Sequence, residues 1–154
     1  MSFTIALVEP KIPPNTGNIA RLCAAMGAEL HLVGELGFDI SEKAVKRAGL
    51  DYWEHVNVTH FLDVEAYFAE LEKKRFFLYS TKAKVPYHKI EHQKGDTLVF
   101  GSETKGLAPW ILEKFKTQAC FLPMPAGAVR SLNLSNTAAI ALFEAMRQTG
   151  CLSD

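Results

Sequence analysis

The sequence predicts an α/β fold in which a mainly parallel sheet carries helices on both faces. Short apolar runs that suit buried strands alternate with segments whose apolar residues recur at helical spacing, as in consecutive β-α-β units. No repeat, low-complexity tract or linker interrupts the chain. Its 154 residues, of which 48% are hydrophobic, are therefore predicted to form a single domain over residues 1–154.

The first β-α-β unit is predicted from the amino-terminal third of the chain. Thr4–Glu9 and Glu29–Val33 are apolar runs that suit strands, and Asn15–Met26 lies between them. This middle segment is predicted to be a helix, since four apolar residues share one helical face: Ile19, Leu22, Cys23 and Met26. Because functional loops follow parallel strands in such folds, Asn15–Arg21 is a candidate functional segment.

Shorter elements are predicted next. Ser41 can cap a basic helix, EKAVKRA, that stops at Gly49. Asp51–His60 mixes aromatic and β-branched residues and is predicted to contain a short strand. Asp63 then caps a helix with one apolar face, formed by Val64, Tyr67, Phe68 and Leu71.

The second half of the chain continues the alternation. Its predicted strands are Arg75–Ser80, Thr97–Phe100 and Ala119–Leu122. Thr81–Lys94 is polar and predicted to be irregular, whereas Ala108–Phe115 is predicted to be a helix with Pro109 in its first turn. A final long helix is predicted to run to about Thr149, with Ala138, Ala141, Leu142 and Ala145 on one face.

Composition narrows the class of protein. No run approaches the roughly 18 apolar residues of a membrane helix, and the amino terminus lacks the basic region of a signal peptide. The three cysteines are widely spaced without a C-x-x-C pair, which favours a reducing, cytoplasmic setting over a disulfide or zinc framework. The formal net charge is zero, which argues mildly against a strong nucleic-acid binder unless charge is segregated or combined across a dimer.

Leu122–Asn136, LPMPAGAVRSLNLSN, is the most unusual stretch. Its prolines and Gly127 take the chain out of the sheet, and five polar side chains then fall within seven residues: Arg130, Ser131, Asn133, Ser135 and Asn136. Helix capping and turn chemistry account for only part of this run. Its position after a strand favours a small-molecule site.

Gly101–Gly106, GSETKG, also lies between a strand and a helix. It is not a Walker A loop, because Leu107 stands where the lysine belongs, and no G-x-G-x-x-G occurs in the chain. An ordinary βα turn remains an alternative, but Glu103 between two glycines favours a functional one.

Other candidate residues give weaker signals. His88 and His92 have i, i+4 spacing without a third ligand, so we expect a solvated pair and no metal site. Ser131 lacks a G-x-S-x-G elbow. Most basic residues suit solvated surface, whereas Arg21 and Arg130 follow strands, where a guanidinium could hold a phosphate.

Three motifs taken together resemble the SPOUT class of RNA methyltransferases: N-T-G-N-I-x-R at Asn15–Arg21, F-G-S-E-T-K-G-L at Phe100–Leu107, and L-P-M followed by R-S-L-N-L-S-N within Leu122–Asn136. The match covers the whole chain. With I-P-P before the first motif and R-A-G-L-D-Y at Arg47–Tyr52, it is most similar to the short bacterial tRNA (cytidine/uridine-34-2'-O)-methyltransferases.

This resemblance implies a SPOUT fold with a carboxy-terminal trefoil knot, an exception to the rule that chains are unknotted. It also implies S-adenosylmethionine as the cofactor, without a metal. The implied substrate is the wobble nucleotide in the tRNA anticodon stem-loop. A cytoplasmic homodimer whose RNA site spans both subunits is implied as well.

The resemblance assigns site residues by position. It implies a catalytic set of Asn15, Arg21, Glu103, Ser131 and Asn133, and a cofactor pocket of Tyr79, Gly101, Leu122, Ser131 and Leu132. Arg130, Arg47 and Lys46 are the expected RNA-binding residues. Because guanidinium has a pKa above about 12, we expect Arg21 to anchor phosphate or ribose rather than serve as the base. Leu132 replaces a methionine that is common in the family.

Three alternatives stay open at this point. The chain could be a non-catalytic RNA-binding protein that has kept the fold. It could methylate a 2'-hydroxyl at another RNA site. A phosphotransferase using GSETKG is disfavoured by the misplaced lysine.

Overall fold

The computed structural model describes residues 1–41 and 51–152, and its six strands form one parallel sheet. The strands are β1 (Thr4–Val8), β2 (Glu29–Val33), β3 (Val58–Phe61), β4 (Phe76–Tyr79), β5 (Thr97–Phe100) and β6 (Ala119–Cys120). Their order in the sheet is β3-β2-β1-β5-β4-β6, and every pairing is parallel. The predicted α/β class and parallel sheet are confirmed.

Helices cover both faces of this sheet. They are α1 (Pro13–Met26), α2 (Val64–Leu71), α3 (Pro109–Lys114) and α4 (Leu134–Gln148), with 3₁₀ turns at Asp51–His55, Tyr87–Lys89 and Lys116–Gln118. Alternate residues of β1 point to opposite faces. Ile5 and Leu7 pack with α1 and α4, whereas Ala6 and Val8 pack with α2 and α3. No helix among the described residues is long and apolar enough to cross a membrane.

Several predicted boundaries differ from the structure. Helix α1 begins at Pro13 rather than Asn15. The first turn of a helix leaves its N–H groups without partners, so prolines, which have no N–H group, are well suited to it. Asp51–His60 was predicted to contain a strand, but only Val58–Phe61 is one, and Asp51–His55 is a 3₁₀ turn. Strand β1 ends at Val8 because Glu9 adopts a left-handed conformation with φ of 52°. The basic helix predicted after Ser41 lies outside the described residues.

Strand β6 is shorter than the predicted Ala119–Leu122 but is bonded on both sides. One side pairs with β4. On the other side, the Phe121 N–H donates to the Val85 carbonyl at 2.9 Å, and the Tyr87 N–H donates to the Phe121 carbonyl at 2.8 Å. The segment Thr81–Lys94, predicted to be irregular, therefore contributes a bridge that encloses β6.

The predicted solvated pair of histidines is wrong for His92, which is buried. Its Nδ1 lies 3.2 Å from Asp96 Oδ2 and its Nε2 lies 3.4 Å from the Tyr79 hydroxyl. Arg75 Nε also donates to Asp96, at 2.8 Å. Because buried polar groups need partners, His92 is held as a neutral ring between a carboxylate and a hydroxyl.

These contacts predict how stability depends on pH. Burial lowers the pKa of His92 below its ordinary 6.5, outweighing the opposite effect of Asp96, and burial also lowers the pKa of His31. Below that ordinary value the unfolded chain binds more protons than the folded chain, so stability falls as the pH falls. We expect urea denaturation to give a smaller free energy of unfolding at about pH 5.5 than at about pH 8. His92→Gln should reduce this difference, and an equal difference in the two proteins would contradict the assignment.

Candidate active site

A cavity of about 520 Å³ opens at the carboxyl ends of β4 and β5. This edge is where parallel α/β sheets bind ligands, and the volume lies within the range of small-molecule sites. The cavity is lined by every residue expected to contact the cofactor: Tyr79, Gly101, Leu122, Ser131 and Leu132. Four segments that are distant in sequence are thus gathered around one space.

The Gly101–Gly106 turn forms one wall of this cavity. The Ser102 N–H donates to the Gly106 carbonyl at 3.3 Å, and the Gly106 N–H donates back to the Ser102 carbonyl at 2.9 Å. A Cβ added at Gly101 would lie 2.1 Å from the Gly106 carbonyl carbon, which no rotamer change can relieve. Glycine is required at this position because the turn folds back onto its own main chain.

Glu103 fastens that turn to the loop between β1 and α1. Its Oε1 accepts the Lys11 N–H at 2.8 Å, and its Oε2 accepts the Ile12 N–H at 2.9 Å and the Asn15 Nδ2–H at 3.2 Å. Partial burial raises the pKa of Glu103, but these hydrogen bonds lower it by more, so the net shift is downward. A carboxylate that is ionised and fully engaged is suited to holding loops and poorly suited to accepting a proton.

Asn15 extends the network to the third motif. Its Oδ1 accepts a hydrogen bond from Asn133 Nδ2 at 3.0 Å. Asn133 Oδ1 in turn accepts the N–H groups of Ser135 and Asn136, which makes Asn133 the N-cap of α4. One continuous set of hydrogen bonds, Glu103 to Asn15 to Asn133, therefore joins all three motifs.

Glu103→Gln tests this network. The amide would present an N–H₂ group to a main-chain N–H, so at least one charge-assisted hydrogen bond is lost. We expect a loss of stability on the order of 1.5–3 kcal/mol by urea denaturation. Glu113→Gln, at an exposed residue whose carboxylate pairs only with Lys116, is the matched control. Equal stability of the two variants would show that the network does not hold the loops.

The other predicted site residues differ in whether they line the cavity. Arg130 lines the cavity. Arg21 does not, because it lies six residues after Asn15 on α1, where the helical repeat turns it away from the buried side of Asn15 and exposes it. Lys46 and Arg47 lie outside the described residues. Within residues 1–41 and 51–152, no group of three or more His, Cys, Asp or Glu could hold a metal.

Two features of the site were missed in the sequence. The first is that the main-chain N–H groups of Lys11 and Ile12 bind Glu103. The sequence carried a signal for this, because Pro13 and Pro14 lack N–H groups, which makes residues 11 and 12 the last main-chain donors before the first turn of α1. Lys82 and Lys105 also line the cavity, although nothing in their surroundings distinguishes them from surface lysines in the sequence.

Comparison with known proteins gives consistent matches. The profile of the SpoU rRNA Methylase family matches residues 2–143. A tRNA (cytidine(34)-2'-O)-methyltransferase from Methylovorus glucosotrophus is 49% identical over 147 residues, which cover 95% of each chain.

Solved structures extend this similarity to the fold. One structure, of a protein studied for the 2-OH methylation of C/U34 on tRNA, has a TM-score of 0.87 at 40% identity and covers 96% of this chain and 95% of that one. An AdoMet-bound rRNA methyltransferase from Sinorhizobium meliloti has a TM-score of 0.83 at 27% identity, with coverage of 99% of this chain but 57% of that one.

Proposed function

The chain belongs to the SpoU rRNA methylase family, and we propose that it transfers a methyl group from S-adenosylmethionine to the ribose 2'-hydroxyl of nucleotide 34 in tRNA. The observation that carries this proposal is the junction of the three motifs. The expected cofactor residues line one cavity, and the Glu103–Asn15–Asn133 network forms part of its frame.

The cavity fits the proposed cofactor on structural grounds. Gly101 lets the main chain of Gly106 and Leu107 pack against the end of β5, which shapes one wall of the cavity. Leu122 and Leu132 add apolar surface beside polar Ser131. Such a mixture suits an adenosine with a thioether-like chain. When bound, S-adenosylmethionine supplies a methyl group on a positively charged sulfur.

The residues of the chain then have to position the acceptor. In-line attack by a hydroxyl depends mainly on orientation, so rigid placement contributes most of the rate. Ser131 lines the cavity, and we assign it to the acceptor side. Asn133 does not line it, and because its amide is held by the α4 cap and by Asn15, we assign it to positioning the loop that carries Ser131. Glu103 and Asn15 are assigned to loop positioning, because their polar atoms are engaged with each other and with the loops.

Arg21 is assigned to the cavity of a partner subunit in a homodimer. Asn18, Arg21 and Ala25 share an exposed face of α1, which packs beside α4. On α4, Ile140 and Phe143 are exposed to 38% and 45%, an apolar surface that a second copy would bury. A dimer through α1 and α4 would account for an arginine that does not line its own chain's cavity.

We favour tRNA over ribosomal RNA as the substrate despite the family's name. The relative that acts on cytidine 34 of tRNA matches this chain over 95% of both lengths. The solved rRNA methyltransferase is 27% identical to this chain, against 49% for the tRNA relative. The greater similarity to the relative named for cytidine 34 favours tRNA, with nucleotide 34 of the anticodon stem-loop as the target.

We also infer the carboxy-terminal knot and a cytoplasmic location. The position of the end of β6 between β4 and the 85–87 segment supports the knot, because a segment held between two earlier parts of the chain is what threading requires. The three cysteines are free thiols, in keeping with a reducing compartment.

The proposal is tested by incubating the protein with undermodified bulk tRNA and S-adenosylmethionine labelled in its methyl group. We expect label in the tRNA, and label in ribosomal RNA to stay at the level without enzyme. Retention of tRNA on the protein without label would favour the non-catalytic alternative. Label in ribosomal RNA alone would favour another RNA site.

A further inference from the structure

The mouth of the cavity carries three cations from three different loops. Lys82 follows β4, Lys105 lies in the Gly101–Gly106 turn, and Arg130 lies in the loop before α4. All three residues are exposed and line the same cavity as Ser131. Arg130 is already expected to contact RNA, whereas Lys82 and Lys105 have no assigned role.

The three cations at the cavity mouth have no carboxylate partners. None of the three has an ion pair or a side-chain hydrogen bond to a carboxylate within residues 1–41 and 51–152. Exposed cations without such a partner also occur elsewhere, for example Lys74 and Lys94, but they do not line this cavity. Others are paired at 2.9–3.4 Å, among them Lys73 with Glu70, Lys114 with Glu72, Lys116 with Glu113 and Arg147 with Glu144. The cavity mouth is therefore a local concentration of uncompensated positive charge.

The cavity does not neutralise this charge itself. Glu103 is the only acidic residue among the described residues that line it. Its two oxygens are occupied by the N–H groups of Lys11 and Ile12. Three cationic side chains against one carboxylate give the cavity lining two excess positive charges. The formal net charge of the whole chain is zero.

An anion other than the cofactor best accounts for that excess. At neutral pH, S-adenosylmethionine carries a sulfonium, an ammonium and one carboxylate, so it is a net cation and gains nothing from surplus positive charge. The RNA backbone carries a negative charge at each phosphate, and lysines bind such charges as mobile point cations.

Resting on the proposed function, we propose that Lys82 and Lys105 bind backbone phosphates of the substrate RNA at the mouth of the cavity. Their positions on different loops, after β4 and after β5, allow two phosphates to be held on the carboxyl edge of the sheet.

The test compares Lys82→Gln/Lys105→Gln with a matched control, Lys73→Gln/Lys116→Gln, which removes two exposed lysines remote from the cavity. Binding of tRNA is measured over a series of KCl concentrations, and binding of S-adenosylmethionine is measured by calorimetry. Losing two phosphate contacts should reduce the slope of log K against log[KCl] by about 1.4–1.8 and weaken tRNA binding about tenfold near 0.15 M salt. Cofactor affinity should stay within about twofold, and Lys82→Arg/Lys105→Arg should restore the slope.

Two outcomes would overturn the inference. An unchanged salt slope would show that the lysines do not contact phosphate. A loss of cofactor affinity without a change in the slope would show that they bind the carboxylate of the cofactor. Methyl transfer by the unaltered protein in the same preparation tests the proposed function separately, so failure of the lysine contact can be distinguished from failure of the activity.

Discussion

Arg21→Ala is expected to reduce methyl transfer to tRNA by about 10²–10³-fold while leaving the affinity for S-adenosylmethionine near normal. Arg21 is exposed on α1 and does not line the cavity of its own chain, so its removal should not disturb the cofactor residues. In the proposed dimer its guanidinium orients the acceptor ribose and phosphate in the partner's site. Single-turnover kinetics with saturating cofactor would measure the loss.

The control for this prediction is Lys116→Ala, which removes an exposed cation that pairs with Glu113 away from the cavity. It should leave turnover unchanged. Mixing Arg21→Ala with a second inactive variant, Ser131→Ala, should restore part of the activity if each site combines residues of two chains. Wild-type turnover by Arg21→Ala would remove Arg21 from the mechanism.

Gly101→Ala is expected to have the second large effect. The added methyl group would lie 2.1 Å from the Gly106 carbonyl carbon and 2.3 Å from the Leu107 nitrogen, and both are main-chain atoms that cannot rotate away. The turn must therefore open, which we expect to lower stability by about 1–3 kcal/mol and cofactor affinity by at least tenfold. Urea denaturation and calorimetry would measure the two effects.

Gly150→Ala separates this steric effect from the general effect of replacing a glycine. Gly150 has a positive φ of 74°, but a Cβ there would meet nothing within 4 Å. Its replacement should lower stability by about 1–2 kcal/mol through backbone strain, with no change in cofactor affinity. Equal cofactor affinities for the two variants would contradict the assignment of Gly101 to the cavity wall.

Much of the fold could be predicted because apolar runs and helical periodicity report burial directly. Glu29–Val33 and Thr97–Phe100 form strands with the predicted bounds. The end of β6 could not be predicted correctly, because Phe121 just after it donates to the Val85 carbonyl and accepts from the Tyr87 N–H, and both partners are distant in sequence. The burial of His92 has the same cause, because its partner Tyr79 is supplied by another strand.

The candidate site could be predicted as a set of residues but not as an arrangement. The motifs named Asn15, Glu103 and Asn133, yet only the structure supplies the hydrogen bonds that join them. It also separates Arg21 from this group, and the six-residue spacing from Asn15 on the predicted helix was the signal for this, since it turns the two side chains to different sides of α1.

The central claim is methyl transfer to a ribose oxygen of nucleotide 34. It is tested most directly by digesting tRNA labelled by the protein and mapping the methyl group by mass spectrometry. We predict a single modified site, with the methyl group on the 2'-oxygen of nucleotide 34. A methyl group on a base, or on the ribose of a different nucleotide, would contradict the account.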